Sequence, residues 1–183
     1  ELKTECMPVI DKDNHLTAVY FWEDFFPNTN KIKPLNLKLP VIIMAGGKGQ
    51  RLKPLTNVLP KPLIPIGDNT IVEEIIERFT LIGSNEFFMT IFHKSELIKY
   101  YFNQNKKKDI TIQFIEEEKP LGTGGSLHLL KDKIDKTFFV TNCDILIDQD
   151  YSEIYKYHND NRNEITAVSA LSHFRFPYGI INT

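Results

Sequence analysis

Apolar and polar positions change their spacing several times along the chain, and each change marks an element. Near the N-terminus "MPVI" is apolar, "DKDNH" is polar with turn-forming Asp and Asn, and "LTAVYF" is rich in β formers. That order predicts strand, turn and strand, followed by a helix start at "WEDFF". About thirty residues cannot bury a core alone, so this piece either packs on the remainder of the chain or is the tail of an upstream domain. From Pro27 to Pro40, "PNTNKIKPLNLKLP" holds three prolines, three lysines and three asparagines with no sustained period, and reads as a linker.

From Val41 onward strands and helices alternate. Val41 to Ala45 is an apolar run that predicts a buried strand. "TIVEEIIERFTLIG" sets Ile71, Ile75, Phe79 and Ile82 on one helical face, puts Glu73, Glu74, Glu77 and Arg78 largely outside it, and stops at Gly83. "EFFMTIF" predicts a second strand, "SELIKYYFNQN" a helix opened by Ser95, and "DITIQFIE" a third strand. "GTGGSLHLLKD" begins a further helix, "TFFVTNCD" is a fourth strand, "YSEIYKYHND" a helix and "EITAVSALS" a fifth strand. This alternation predicts an α/β fold with a Rossmann-like, mostly parallel sheet flanked by helices, and ligands at the carboxyl ends of its strands. "PYGIINT" reads as the start of another strand, so the domain is expected to be incomplete at its C-terminus.

Composition narrows the function. The 183 residues carry 22 Lys and Arg against 24 Asp and Glu, a net charge of -2, so the basic excess of a nucleic-acid binder is missing. No apolar run approaches the roughly 18 residues of a membrane span, and the N-terminus lacks a signal-peptide pattern. Cys6 and Cys143 are far apart without CxxC spacing, which argues against a disulfide framework or zinc site and for a reduced, cytoplasmic setting. The five histidines show no metal-ligand spacing.

The chemistry concentrates in "AGGKGQRLKPLTNVLPKPL". A P-loop needs GxxxxGK[ST], but Lys48 follows Gly47 directly and no Ser or Thr follows it in place. A dinucleotide fingerprint needs GxGxxG, but position 52 is Leu. On the loop's own terms, Gly46, Gly47 and Gly49 let backbone N–H groups approach phosphate oxygens or a base. Arg51 offers a guanidinium fork to a polyphosphate, and the prolines around Lys61 fix its backbone so that its ammonium is held near one point. The plain alternative is a solvated basic turn, which suits Lys48 and Lys53 taken singly.

Three motifs in order carry a resemblance. "AGGKGQRLKPLTNVLPKPLIPIG" resembles the sugar-1-phosphate nucleotidyltransferase signature G-G-x-G-x-R-L-x-P-L-T followed by P-K-P-L. "PLGTGGSL" is similar to that family's second nucleotide-binding loop, and "FFVTNCDIL" to its metal-binding strand end. The likeness covers Pro40 to Thr183. Gln50 stands where many members have Thr, and Cys143 where many have Gly. The resemblance implies a nucleotidyltransferase domain over residues 40–183 that forms an NDP-sugar from an NTP and a sugar 1-phosphate, releasing pyrophosphate. It implies catalytic roles for Arg51 and Lys61, and nucleotide contacts at Ala45, Gly46, Gly47, Gly49, Gln50, Pro120, Gly122 and Thr123. Asp144, past an apolar strand, would be the Mg2+ ligand; the alternative is a turn-capping Asp, which suits Asp148 better. A second metal Asp and a sugar-phosphate Lys are expected beyond Thr183. "YGI" resembles a sugar-contacting segment, giving Tyr178 and Gly179 as sugar-binding residues.

By the same analogy Glu117 faces the nucleobase edge. A carboxylate only accepts hydrogen bonds, and guanine offers adjacent N1–H and N2–H donors, so GTP and a guanylyltransferase are expected. A CTP-dependent cytidylyltransferase and a non-catalytic nucleotide-sensing module stay open, as does a solvated acidic run at Glu116–Glu118. Residues 1–27 resemble the closing strands of a CBS domain, with 28–39 as linker. That implies a nucleotide effector at CBS domains of a longer protein, and a homo-oligomer is expected, with no nucleic-acid or membrane partner.

Overall fold

The computed structural model describes residues 6–21 and 36–170. The chain divides into two compact units, Glu1–Asn36 and Leu37–Thr183. In the first, β1 (Cys6–Ile10) and β2 (Leu16–Phe21) pair antiparallel, with Met7 opposite Tyr20 and Val9 opposite Ala18. The turn closes on Asp11, whose carboxylate accepts from the Asp13 and His15 amides at 2.9 Å. This is the strand, turn and strand that the alternation of "MPVI", "DKDNH" and "LTAVYF" predicts. The expected helix start at "WEDFF" lies outside the described residues.

The second unit is built on a four-stranded sheet from β3 (Val41–Met44), β6 (Glu86–Ile91), β7 (Thr111–Glu116) and β8 (Phe139–Asn142). All its pairings are parallel and the order is β7-β6-β3-β8. The chain therefore lays down β6 and β7 on one side of β3 and then crosses to its other side for β8. Between β3 and β6 lie a short helix α1 (Leu55–Val58), a small hairpin of β4 (Pro65–Ile66) and β5 (Asn69–Thr70), and helix α2 (Ile71–Thr80). Helix α3 (Ser95–Gln104) follows β6, and α4 (Tyr151–Asp160) follows β8.

The strands' period of two divides the core. Val41, Ile43, Phe87, Met89 and Ile91 face α2 and α3, packing with Val72, Ile75, Ile76, Phe79, Ile98 and Phe102 and with Tyr151 of α4. Ile42, Phe88 and Ile115 face the other way and meet Leu130. Helix α2 starts where the sequence places it: Thr70 and Glu73 form a reciprocal capping box, and Gly83 follows the last turn at φ 86°.

Two expectations change. The segment after "GTGG" is a 3-10 helix, Gly125–Leu130, because Gly124 enters it at φ 81° and the buried Ser126 ties it down onto Thr90 by a 3.2 Å hydroxyl bond. Helix α3 opens at Ser95 as the sequence predicts, with Lys94 ahead of it at φ 57° and no side-chain cap. No strand forms over 164–170, where Ile165 is 86% and Val168 54% exposed: the alternating pattern there finds no ladder partner among the described residues.

Candidate active site

The glycine loop leaves the carboxyl end of β3. Ala45 is buried and its amide donates to the Thr90 carbonyl at 2.8 Å, so the loop starts from a fixed point between the strands. On the other side of β3, the Cys143 amide donates to the Met44 carbonyl at 3.2 Å, which places Asp144 just past the end of β8. The sheet order reverses between β3 and β8. In an open parallel sheet such a switch point opens a crevice at the strand ends, because the following connections depart to opposite sides.

The loop folds back into that crevice. Gly49 has φ 62° and enters a 3-10 turn, Gln50–Leu52. A Cβ on Gly49 would stand 2.7 Å from Thr56 Cγ2 and 3.2 Å from Lys61 Cβ, so glycine is required by both conformation and space. The buried Thr56 donates its hydroxyl to the Gly49 carbonyl at 2.9 Å. Lys61 then opens a second 3-10 turn, Lys61–Leu63, whose Pro62 and Leu63 are buried and whose entry residue Pro60 is also buried. The side chain thus projects from an anchored backbone, and its Nζ lies 2.5 Å from Asp144 Oδ2. Both members are partly open, at 22% and 34% exposure, so the pair faces the crevice and solvent.

The second loop approaches from β7. Glu117 follows that strand, donates its amide to the Ile91 carbonyl at 2.9 Å, and is buried. Its Oε2 accepts from the Leu121 amide at 3.2 Å, and its Oε1 lies only 2.6 Å from where a Cβ on Gly46 would stand. The Gly124 amide donates to Met44 Sδ at 3.3 Å, seating this loop on the end of β3. Gly122 takes φ 73°, and Pro120, Gly122 and Thr123 are exposed.

The structure therefore places Ala45, Gly46, Gly47, Gly49, Gln50, Lys61, Glu117, the Pro120–Thr123 loop and Asp144 past the carboxyl ends of the strands. Arg51 lies on the exposed 3-10 turn of that loop and has no ion-pair partner among the described residues. Tyr178 and Gly179 lie outside the described residues. Asp148 is fully exposed, 3.6 Å from Arg78, and takes no part. Cys143 is buried beneath the pair, and burial pushes its thiol up to about 12, so it is a packed neutral group and not a nucleophile.

No group of three or more His, Cys, Asp or Glu side chains among the described residues could hold a metal ion. Two carboxylates lie beside the glycine loop: the buried Glu117, engaged by the Leu121 amide, and the part-exposed Asp144, paired with Lys61. That donor set suits Mg2+ carried chiefly by phosphate oxygens and water, in place of an all-protein cage.

Two contributors are not singled out as site residues in the sequence. Thr56 lies inside the quoted motif, but its bond to Gly49 becomes visible only when the loop closes. Lys94 belongs to another segment altogether.

Residues 40–183 match the family described as nucleotidyl transferase. The chain is 33% identical over 144 residues to the mannose-1-phosphate guanyltransferase of Yarrowia lipolytica, covering 76% of this chain and 40% of that protein. It is 38% identical over 121 residues to the bifunctional protein GlmU of Methanococcus maripaludis, covering 66% of this chain and 28% of that protein. Among solved structures, HddC from Yersinia pseudotuberculosis complexed with GMP-PN superposes with a TM-score of 0.60 at 28% identity, covering 67% of this chain and 55% of that chain. The chain thus spans less than half the length of the curated relatives it matches.

Proposed function

The chain belongs to the nucleotidyl transferase family, and from that premise we propose that it carries the nucleotide half of a sugar-1-phosphate guanylyltransferase site. The observation that carries this reading is the meeting of the Gly46–Gly49 loop, Lys61 and Asp144 at the switch point of a parallel sheet. The reaction forms a bond between a sugar 1-phosphate oxygen and the α-phosphorus of an NTP. The α–β phosphoanhydride bond breaks, and pyrophosphate leaves with its electron pair.

Two anions must meet, so the protein's task is charge neutralisation and alignment. The glycine loop presents backbone N–H groups to the phosphates. Arg51 holds the triphosphate and the departing pyrophosphate, and Lys61 neutralises charge developing around the α-phosphorus. Asp144 would hold Mg2+, which supplies further neutralisation of the phosphate oxygens when bound.

The preference for guanine rests on Glu117. It is a buried acceptor between the two loops, and guanine brings paired N–H donors. The names of the guanyltransferase relative and of the GMP-PN complex point the same way. The β1–β2 hairpin, with its CBS-like sequence, is proposed as part of a module that takes a nucleotide effector in the whole protein. Calorimetric titration of GTP, CTP, UTP and ATP tests the nucleotide reading. GTP should bind most tightly, and Arg51→Lys should weaken it. Equal binding of all four would remove the guanine assignment, and binding of none would remove the nucleotide site.

A further inference from the structure

Lys94 lies on the far side of β6 from the glycine loop in sequence, yet its ammonium is spent on that loop's neighbour. Its Nζ is 3.0 Å from the Thr56 carbonyl, 2.7 Å from the Asn57 carbonyl and 3.0 Å from the Val58 carbonyl. An ammonium has three donors, and here each finds one of the orphan carbonyls at the end of α1. A four-residue helix has almost no stability of its own, so an external clamp decides whether it forms. A positive charge at a helix carboxyl end is also favourable.

The clamp reaches the phosphate loop in two steps. Thr56, whose carbonyl Lys94 holds, donates its hydroxyl to the Gly49 carbonyl at 2.9 Å and packs against Gly49. On the other side of α1, Leu59 and Pro60 lead directly into Lys61, whose Cβ also lies against Gly49. Lys94 itself is held at φ 57°, a left-handed conformation that a lysine rarely adopts. That conformation is sustained because the surrounding contacts fix the residue.

We infer that Lys94 is a positioning residue: by clamping the carboxyl end of α1 it sets the spacing between Gly49 and Lys61, and so the site into which the NTP phosphates fit. It touches no reacting atom in this role. The inference rests on the nucleotide reading of the loop, but its geometric half can be tested without any nucleotide.

The test uses Lys94→Met, Lys94→Arg and Thr56→Val in the otherwise unchanged chain. Hydrogen exchange should rise about tenfold or more at the amides of Asn57, Val58, Leu59 and Lys61 in Lys94→Met, while β3 and α2 keep their protection. GTP affinity, read by calorimetry, should fall about tenfold in Lys94→Met, the loss of one charged hydrogen-bonding group. Lys94→Arg should restore part of it, since a cationic donor returns. Thr56→Val should also weaken GTP, and the double variant should lose less than the product of the two, because both act on one relay. Unchanged exchange at these amides overturns the clamp. Raised exchange with GTP affinity within twofold of wild type overturns the positioning role, as does full additivity of the two substitutions. If wild type binds no nucleotide at all, the reading of the site fails instead, and the exchange pattern alone decides whether Lys94 sets the loop.

Discussion

Lys61 and Asp144 meet at 2.5 Å although one follows β3 and the other follows β8, strands laid down at opposite ends of the sheet's assembly. The pair bridges the ends of the two connections at the switch point, each charge partnered by the other. On the proposed nucleotide reading, an incoming phosphate would draw off the ammonium and free the carboxylate for a cation.

That exchange predicts how metal binds. In wild type, Lys61 competes for Asp144, so Mn2+ used as a spin-active stand-in for Mg2+ should bind weakly without nucleotide. Lys61→Met should tighten nucleotide-free Mn2+ binding several-fold, and Asp144→Asn should abolish it. Water-proton relaxation reads this without any assay of turnover. Equal Mn2+ affinity in wild type and Lys61→Met would show that the pair does not gate the carboxylate.

Gly46 and Glu117 predict a steric coupling. Gly46 lies outside the left-handed region, so alanine fits its backbone, but the new Cβ would stand 2.6 Å from Glu117 Oε1. The carboxylate must then shift and strain its bond from the Leu121 amide. Gly46→Ala should cost about 1–2 kcal/mol, and much less in a Glu117→Ala background. Denaturant unfolding of wild type, the two single variants and the double variant checks this; equal costs in both backgrounds would mean that the two loops do not touch in solution.

Much of this arrangement is legible in the sequence, for definable reasons. The run Val41–Ile43 and the face Ile71, Ile75, Phe79 and Ile82 obey local periods, and the structure packs all of them but the half-buried Ile71 into the core. The glycine loop is legible because backbone approach leaves a mark that composition shows. The contact of Glu117 with Gly46 and the clamp of Lys94 on α1 join segments distant in sequence, and neither has a local period. The strand expected at Glu164–Ser172 shows the reverse limit. Its alternation is real, but a strand needs a ladder partner, and residues 164–170 show none.

Base selectivity should follow the charge of one side chain. Glu117→Gln replaces an acceptor oxygen with a donor aimed at guanine's own donors, so GTP affinity should fall about tenfold or more relative to CTP. Competition titration of the two nucleotides against one fluorescent analogue measures the ratio. A ratio that stays at its wild-type value would take Glu117 away from the base.

Alkaline pH should expose the burial of Cys143. Burial raises its thiol from an ordinary 9.0 to about 12, and Tyr151 is likewise raised by burial. The folded state therefore keeps protons that the unfolded chain gives up. This stabilisation is complete below pH 9 and is lost as pH rises toward 12. The slope from one thiol is at most about 1.4 kcal/mol per pH unit. Cys143→Ala should flatten the decline from its onset near pH 9, where the tyrosine contribution is small. Urea unfolding at stepped pH reads the slope; an identical slope in the variant would mean that the thiol is not buried neutral.

The central claim is that Lys61 serves phosphoryl chemistry at these strand ends, and pyrophosphate release tests it most directly. The whole protein and its Lys61→Ala variant are supplied with GTP, Mg2+ and a panel of sugar 1-phosphates. At 22% and 34% exposure the pair contributes little to stability, about 1 kcal/mol or less, so the variant should stay folded. The account predicts release that requires both substrates and falls about 10²–10³-fold in Lys61→Ala. Release at an equal rate in the folded variant, or none from wild type with any sugar 1-phosphate, would contradict it.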